Sequence, residues 1–180
     1  VVAVTAQGVP EDVKPPVVTA VSSSSLHVNW SVPSHPNGVI QKYHLNQTGV
    51  GTIFTHTGGP NIYTLKGLEP YTDYSFVVVA CTALGCTASE PSTGRTLQAS
   101  PSGVWLSPRH LIINTSAVEL YWDQPAQPNG HIFQYRIIRD GRSVFTGGHR
   151  DQNYTDTGLM PKHRLSMDTL KEAHKKFVHM

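Results

Sequence analysis

Leu26-His27-Val28-Asn29-Trp30-Ser31-Val32-Pro33-Ser34-His35-Pro36-Asn37-Gly38 has a counterpart 92 residues on, in Val118-Glu119-Leu120-Tyr121-Trp122-Asp123-Gln124-Pro125-Ala126-Gln127-Pro128-Asn129-Gly130. In each copy apolar residues alternate with polar ones. Leu26, Val28 and Trp30 share one face, and so do Val118, Leu120 and Trp122. A period of two with one apolar face is a half-buried antiparallel strand. Pro-Asn-Gly then marks a turn, with Pro fixing φ and Gly accepting φ > 0. Tyr43 follows Trp30 at the spacing at which Tyr135 follows Trp122. Tyr63, Gly67, Leu68 and Pro70 return as Tyr154, Gly158, Leu159 and Pro161 at an offset of 91. A period near 90 residues is too long for a solenoid unit and suits a small domain copied in tandem.

The rest of the chain agrees with a β-rich reading. Its 180 residues allow one or two domains. Charged residues make up 14%, and Pro (13) and Gly (15) are frequent. Ser75 to Cys81 is apolar nearly throughout, as a central strand would be, and Gly58-Gly59-Pro60 and Gly147-Gly148 break the chain again. Short strands with regular turn signals mean a sandwich or barrel. The expected fold is therefore all-β. Net charge is +2, with an excess of three positive charges from Lys162 onward, where five basic residues meet two acidic ones. The remaining residues carry nine basic and ten acidic groups, so the body offers no basic face to nucleic acid or anionic lipid. No apolar run approaches the length of a membrane span. The N-terminus has no charged n-region or cleavage site, and the chain is read as beginning mid-protein.

Leu68-Glu69-Pro70-Tyr71-Thr72-Asp73-Tyr74 resembles the L-x-P-x-T-x-Y signature of the fibronectin type III family, and Trp30 resembles its core tryptophan. Pro15-Pro16-Val17 is similar to the lead-in to the family's first strand, and Ala80 to Cys86 sits where it has its last hairpin. The resemblance covers about residues 15–161. It implies tandem immunoglobulin-like sandwiches with a tyrosine corner, in which the Tyr74 hydroxyl bonds back to nearby main chain while the ring fills the core. Leu68, Pro70, Tyr43 and, in the second copy, Trp122 and Tyr135 are the accompanying core residues. The implied layout is the end of a preceding repeat and linker at 1–14, a complete domain at 15–98, a truncated one at 99–165 and an atypical basic tail at 166–180.

The truncation is read from the second copy. After Leu159-Met160-Pro161 the family pattern asks for Thr and Tyr at positions 163 and 165, where His163 and Leu165 stand. The tail reads as a short helix, with Met167, Leu170, His174, Phe177 and Val178 on one stripe. It is taken as a foreign ending, from splicing, intron read-through or a fragmentary gene model. Such an ending would leave Trp122, Leu120 and Ile137 with part of their cover.

Candidate chemistry is sparse. Cys81 and Cys86 could be reactive, metal-binding or bridged. No other cysteine is present to complete a zinc set, and two cysteines flanking a turn in an extracellular chain suit a hairpin-clamping disulfide. Ser22-Ser23-Ser24-Ser25 has no nucleophile elbow around it and reads as a polar turn. Arg139-Asp140-Gly141 reads as a hairpin turn. The ten histidines are scattered, and no phosphate loop or dinucleotide fingerprint occurs. Four N-x-[ST] sequons begin at Asn29, Asn46, Asn114 and Asn153. Asn46 and Asn114 are expected to be better acceptors than Asn29, which lies on a strand.

No catalytic residue, cofactor, metal, nucleic acid or small-molecule substrate is expected. The resemblance implies a non-catalytic extracellular or cell-surface module that contacts proteins and neighbouring repeats of its own chain. Within the family, the paired cysteines and the Thr93-Gly94-Arg95-Thr96 exit are similar to repeats of very long matrix proteins of sensory cells. That likeness implies links at stereocilia, the periciliary membrane and basement membrane, a role in hearing and vision, and collagen IV and fibronectin as partners. The alternative is the ectodomain of a signalling receptor, such as a receptor tyrosine phosphatase or a cytokine receptor.

Overall fold

The computed structural model describes residues 7–160 apart from residue 108. The helical reading of 166–180, and the second corner beyond Met160, lie outside the described residues. The chain divides into two compact units with the boundary between Leu97 and Gln98. Among the described residues the secondary structure is all β.

The first unit contains β1 (Val17–Ser22), β2 (Ser25–Asn29), β3 (Lys42–Gln47), β4 (Gly51–His56), β5 (Ile62–Lys66), β6 (Asp73–Thr82), β7 (Gly85–Ala88) and β8 (Ser92–Arg95). One sheet has the order β1-β2-β5. The other has the order β4-β3-β6-β7, with β8 also on β6. β6 is long enough for two partners. Its first half pairs with β8 and its second half with β7. The break between those partners falls at Ser89-Glu90-Pro91, because Pro91 has no N–H to give a ladder. At this interruption Ser89 Oγ accepts the Val78 N–H (3.1 Å). Alternation then builds the core: Leu26, Val28, Leu45, Phe76 and Val78 are fully buried, and Trp30, Tyr43, Leu65 and Ala80 close around them.

The second unit contains β9 (Leu111–Asn114), β10 (Ala117–Tyr121), β11 (Gln134–Arg139), β12 (Arg142–Gly148) and β13 (Asn153–Thr157). Its sheets run β13-β10-β9 and β11-β12. Val118, Leu120, Trp122, Tyr135 and Ile137 form its core. The expectation that Trp122, Leu120 and Ile137 lose cover is wrong: they are 5%, 5% and 8% exposed. Leu106, Ile132, Phe145, Tyr154 and Leu159 pack over them. The bare apolar surface lies on β9 instead, where Leu111, Ile112 and Ile113 are 58%, 72% and 48% exposed. The hairpin turn is as read, with Asp140 and Gly141 both at positive φ (50° and 75°).

Each unit opens with the same lead-in, and this moves the start of the first one. The Gly8 N–H donates to the Asn37 carbonyl (2.5 Å) and the Glu11 N–H to the His35 carbonyl (2.8 Å). Ala99 and Ser102 make the matching bonds to Asn129 and Gln127 (both 2.9 Å). The Asn37 Nδ2 donates to the Val9 carbonyl, and the Asn129 Nδ2 to the Ser100 carbonyl. Residues 8–11, assigned above to the end of a preceding repeat and linker, are thus docked on the first unit. The Pro-Asn-Gly turn matches its reading at Gly130, which is at positive φ (154°), and goes beyond it at the asparagines. Asn37 and Asn129 themselves take the left-handed conformation (φ 49° and 52°). Asn tolerates αL better than most residues, and here its amide ties down the lead-in. Gly130 also allows close approach: a Cβ there would run into the Gln98 side chain, and one on Gly38 would sit 3.3 Å from that of Gln7.

Candidate functional site

The chain from Leu68 to Tyr74 turns between the two sheets. Leu68 and Tyr74 are half-buried and pack on the first core. The Tyr74 hydroxyl accepts the Glu69 N–H (2.9 Å). Thr72 Oγ1 donates to the Pro70 carbonyl (2.9 Å). The reading of the sequence missed Thr96, which is 2% exposed. Its Oγ1 donates to the Glu69 carbonyl (2.7 Å) and accepts the Thr72 N–H (3.0 Å). Glu69 is therefore held at both ends of its main chain, by Tyr74 and by Thr96. The only trace in the sequence is a threonine at the Thr93-Gly94-Arg95-Thr96 exit. Outside the corner, the Arg95 guanidinium forks onto both oxygens of Asp73 (2.7 and 2.5 Å) and lies over the Tyr71 ring. The hydrogen bond from Arg95 holds the Asp73 carboxyl below its ordinary range. Tyr74→Phe should destabilise the first unit by about 1 kcal/mol, since the Glu69 N–H loses its acceptor. Denaturant unfolding measures this, and an unchanged midpoint would show that the hydroxyl is dispensable.

Cys81 and Cys86 are directly paired across β6 and β7 and are joined by a disulfide, with Cα atoms 4.1 Å apart. Between them Thr82 organises the turn. Its Oγ1 accepts the Leu84 N–H (3.3 Å) and donates to the Gly8 carbonyl (2.8 Å). The lead-in thus braces the hairpin from behind, and Leu84 stands 62% exposed at the tip. A short closed loop contributes about 2 kcal/mol through chain entropy. The bridge also joins the two strands whose turn carries the exposed Leu84.

The remaining candidates are not gathered into a site. Trp30 meets Tyr43 and the buried His56 at 6.0 and 5.7 Å between ring centroids, and Trp122 meets Tyr135 and Phe145 at 5.8 and 5.7 Å. Burial pushes the hydroxyl pKa of Tyr43 and Tyr135 up. A cavity of about 120 Å³ beside Tyr43 and His56 is well under the roughly 300–1,000 Å³ of small-molecule sites. Among the described residues no group of three His, Cys, Asp or Glu could hold a metal ion, and no helix is long and apolar enough to cross a membrane. The serine run is a turn: Ser22 Oγ accepts the Ser24 N–H (3.1 Å). Asn29, Asn114 and Asn153 are exposed and Asn46 is half-buried.

Comparison with known proteins places these features. The family model for the fibronectin type III domain matches residues 10–95. Usherin of Homo sapiens is 53% identical over 166 residues, covering 92% of this chain and 3% of that protein. Neogenin of Homo sapiens is 35% identical over 131 residues, covering 66% of this chain and 8% of that protein. The phosphatidylinositol phosphatase PTPRQ of Rattus norvegicus is 31% identical over 130 residues, covering 71% and 6%. The chain thus spans less than a tenth of the length of each of these relatives. Among solved structures, the sixth fibronectin type III domain from human fibronectin type III domain containing protein 3 is 31% identical, with a TM-score of 0.46. That match covers 52% of this chain and 92% of the other.

Proposed function

Through residues 10–95 the chain belongs to the fibronectin type III family, and on that premise we propose that it is a non-catalytic spacer and adhesive module of an extracellular or cell-surface protein. The observation that carries the reading is the Cys81–Cys86 bridge. A cystine persists in oxidising compartments, and this one sets exposed Leu84 on a rigid tip. Similarity to usherin over 92% of the chain supports a place in a very long ectodomain. On this reading the two units are tandem repeats. By resemblance the parent protein serves matrix and sensory-cell links, in hearing and vision, with collagen IV and fibronectin as partners. Similarity to neogenin and to the phosphatase PTPRQ favours a second reading, an ectodomain fragment of a signalling receptor.

The test is binding of the full chain to immobilised collagen IV and fibronectin. Saturable binding should be lost on Leu84→Asp and weakened by reducing the Cys81–Cys86 bridge. Failure of the folded, bridged chain to bind either protein would remove these partners. Free thiols at both cysteines in the natively expressed chain would remove the extracellular reading itself.

A further inference from the structure

Asn37-Gly38 and Asn129-Gly130 carry a chemistry that the turn and the proposed function leave unused. In an asparagine-glycine pair the glycine nitrogen reaches the side-chain carbonyl carbon with little hindrance, because glycine has no Cβ in the way. Ring closure expels ammonia, and hydrolysis then leaves aspartate or isoaspartate. In the first unit this chemistry falls on an amide that holds something in place.

Asn37 clasps the lead-in with both its main chain and its side chain. Its carbonyl accepts the Gly8 N–H (2.5 Å), and its Nδ2 donates to the Val9 carbonyl (3.1 Å). The adjoining Glu11–His35 pair is an isolated bridge, not part of a ladder. A segment held by so few shared backbone bonds opens locally at low cost. On its other side the lead-in supports the bridged hairpin. The Gly8 carbonyl accepts the Thr82 hydroxyl (2.8 Å), and a Cβ on Gly85 would come within 2.8 Å of Val9 Cγ1. Thr82 Oγ1 in turn accepts the Leu84 N–H (3.3 Å). A change at Asn37 therefore reaches the exposed Leu84 tip through Gly8 and Thr82.

We propose that Asn37 is a deamidation site and that its conversion frees the lead-in from the hairpin, a one-way latch on the Leu84 tip. The latch rests on the reading of that tip as a contact surface. When Gly8-Val9 opens, the Gly38 nitrogen attacks Asn37 Cγ. A new N–C bond closes a succinimide, the bond from Cγ to Nδ2 breaks, and Nδ2 leaves as ammonia with the proton given up by Gly38. Water then adds to one succinimide carbonyl and opens the ring to aspartate or isoaspartate, releasing a proton. Aspartate has no hydrogen to give the Val9 carbonyl, so two acceptors would face each other. Isoaspartate lengthens the main chain by a methylene and displaces the carbonyl to which Gly8 donates. In either product the clasp does not re-form.

The second unit supplies the comparison. Asn129 clasps its own lead-in through the Ala99 N–H and the Ser100 carbonyl. It is half-buried, whereas Asn37 is exposed. Just beyond Gly130, the His131 N–H is tied to Gln98 Oε1 (3.2 Å). Val39, the counterpart of His131, makes no such bond to Gln7 among the described residues. Ring closure at Asn129 must break one tie more, so Asn37 converts first.

Full chain with the Cys81–Cys86 bridge intact, incubated at mildly alkaline pH, should accumulate aspartate and isoaspartate at Asn37 ahead of Asn129 in peptide mapping. Gly38→Ala should largely abolish conversion at Asn37. Its added Cβ would meet the exposed Gln7 side chain at 3.3 Å, which can give way, so the clasp is kept. In the converted fraction, and in Asn37→Asp, the amides of Gly8, Glu11 and Leu84 should exchange hydrogen faster. β2, β3 and β6 should keep native protection, which separates loosening from loss of fold. Weaker binding to immobilised collagen IV and fibronectin should follow. An Asn37 that stays intact, or converts after Asn129, would overturn the site. Conversion with native exchange at Gly8 and Leu84 would overturn the latch. Faster exchange in a chain whose native form binds neither protein would remove those partners and leave the latch standing.

Discussion

Arg139→Met should destabilise the second unit by about 3–5 kcal/mol, the range for breaking a buried ion pair by removing one partner. The Asp156 side chain is 2% exposed and that of Arg139 26%, with Arg139 Nη1 2.6 Å from Asp156 Oδ1. Asp156 lies on β13 opposite Val118, while Arg139 ends β11 in the other sheet, so the pair ties the two sheets together. Asp156 Oδ2 accepts no hydrogen bond among the described residues. Without the guanidinium, a buried carboxylate would be left with neither charge partner nor donor. A loss of this size is a large part of the roughly 5–15 kcal/mol that holds a domain together. The repeat offers the control. At its offsets Asp156 corresponds to the buried Leu65 and Arg139 to Gln47. Asp156→Leu combined with Arg139→Gln should be neutral or stabilising, since an apolar replacement of a buried pair removes its desolvation cost. Hydrogen exchange at the amides of β10 and β13 reads both variants. Equal protection in Arg139→Met and the native chain would mean that water screens the pair.

Trp30→Ala should cost the first unit about 3–5 kcal/mol, the usual toll of removing a large aromatic side chain from a core. Trp30 is 7% exposed and is flanked by Tyr43 and the edge of His56. Tyr43 and His56 are paired across β3 and β4, and that ladder keeps them from collapsing inward together, so a cavity remains. Trp122→Ala should act alike in the second unit, with one difference of construction. Gly147 stands opposite Tyr135 where His56 stands opposite Tyr43. The Phe145 ring lies over that glycine and supplies the contact that His56 makes in the first unit. Gly147→His should therefore destabilise by overpacking, typically 1–3 kcal/mol. Urea titration followed by tryptophan emission and exchange would report each change, and a Trp30→Ala chain with native stability would contradict the assignment of the core.

The strands were legible because their evidence is local. Alternation at Leu26-His27-Val28-Asn29-Trp30 predicts which side chains face inward, and those three apolar residues are the buried ones. The corner was legible as far as Tyr74, because an aromatic at a set distance from Leu-x-Pro is a pattern of neighbours in the chain. Thr96 was not, since its bonds reach back 24 to 27 residues and a threonine at a strand end has no distinguishing composition. The lead-in was misassigned for a like reason. Residues 8–11 contain no periodic run, and their partners lie at Asn37 and His35, out of reach of any pattern along the chain.

The same division holds for the chain as a whole. By itself the sequence determined the all-β class, the repeat near 90 residues and the identity of the core aromatics, because pleat periodicity and turn chemistry are written between adjacent residues. Only the tertiary structure decided that Asp156 is paired with Arg139 and that the bridged hairpin leans on Gly8. Those outcomes depend on which segments meet across the sandwich. Burial of a charge or exposure of an apolar strand is a property of that meeting, not of the residue that undergoes it.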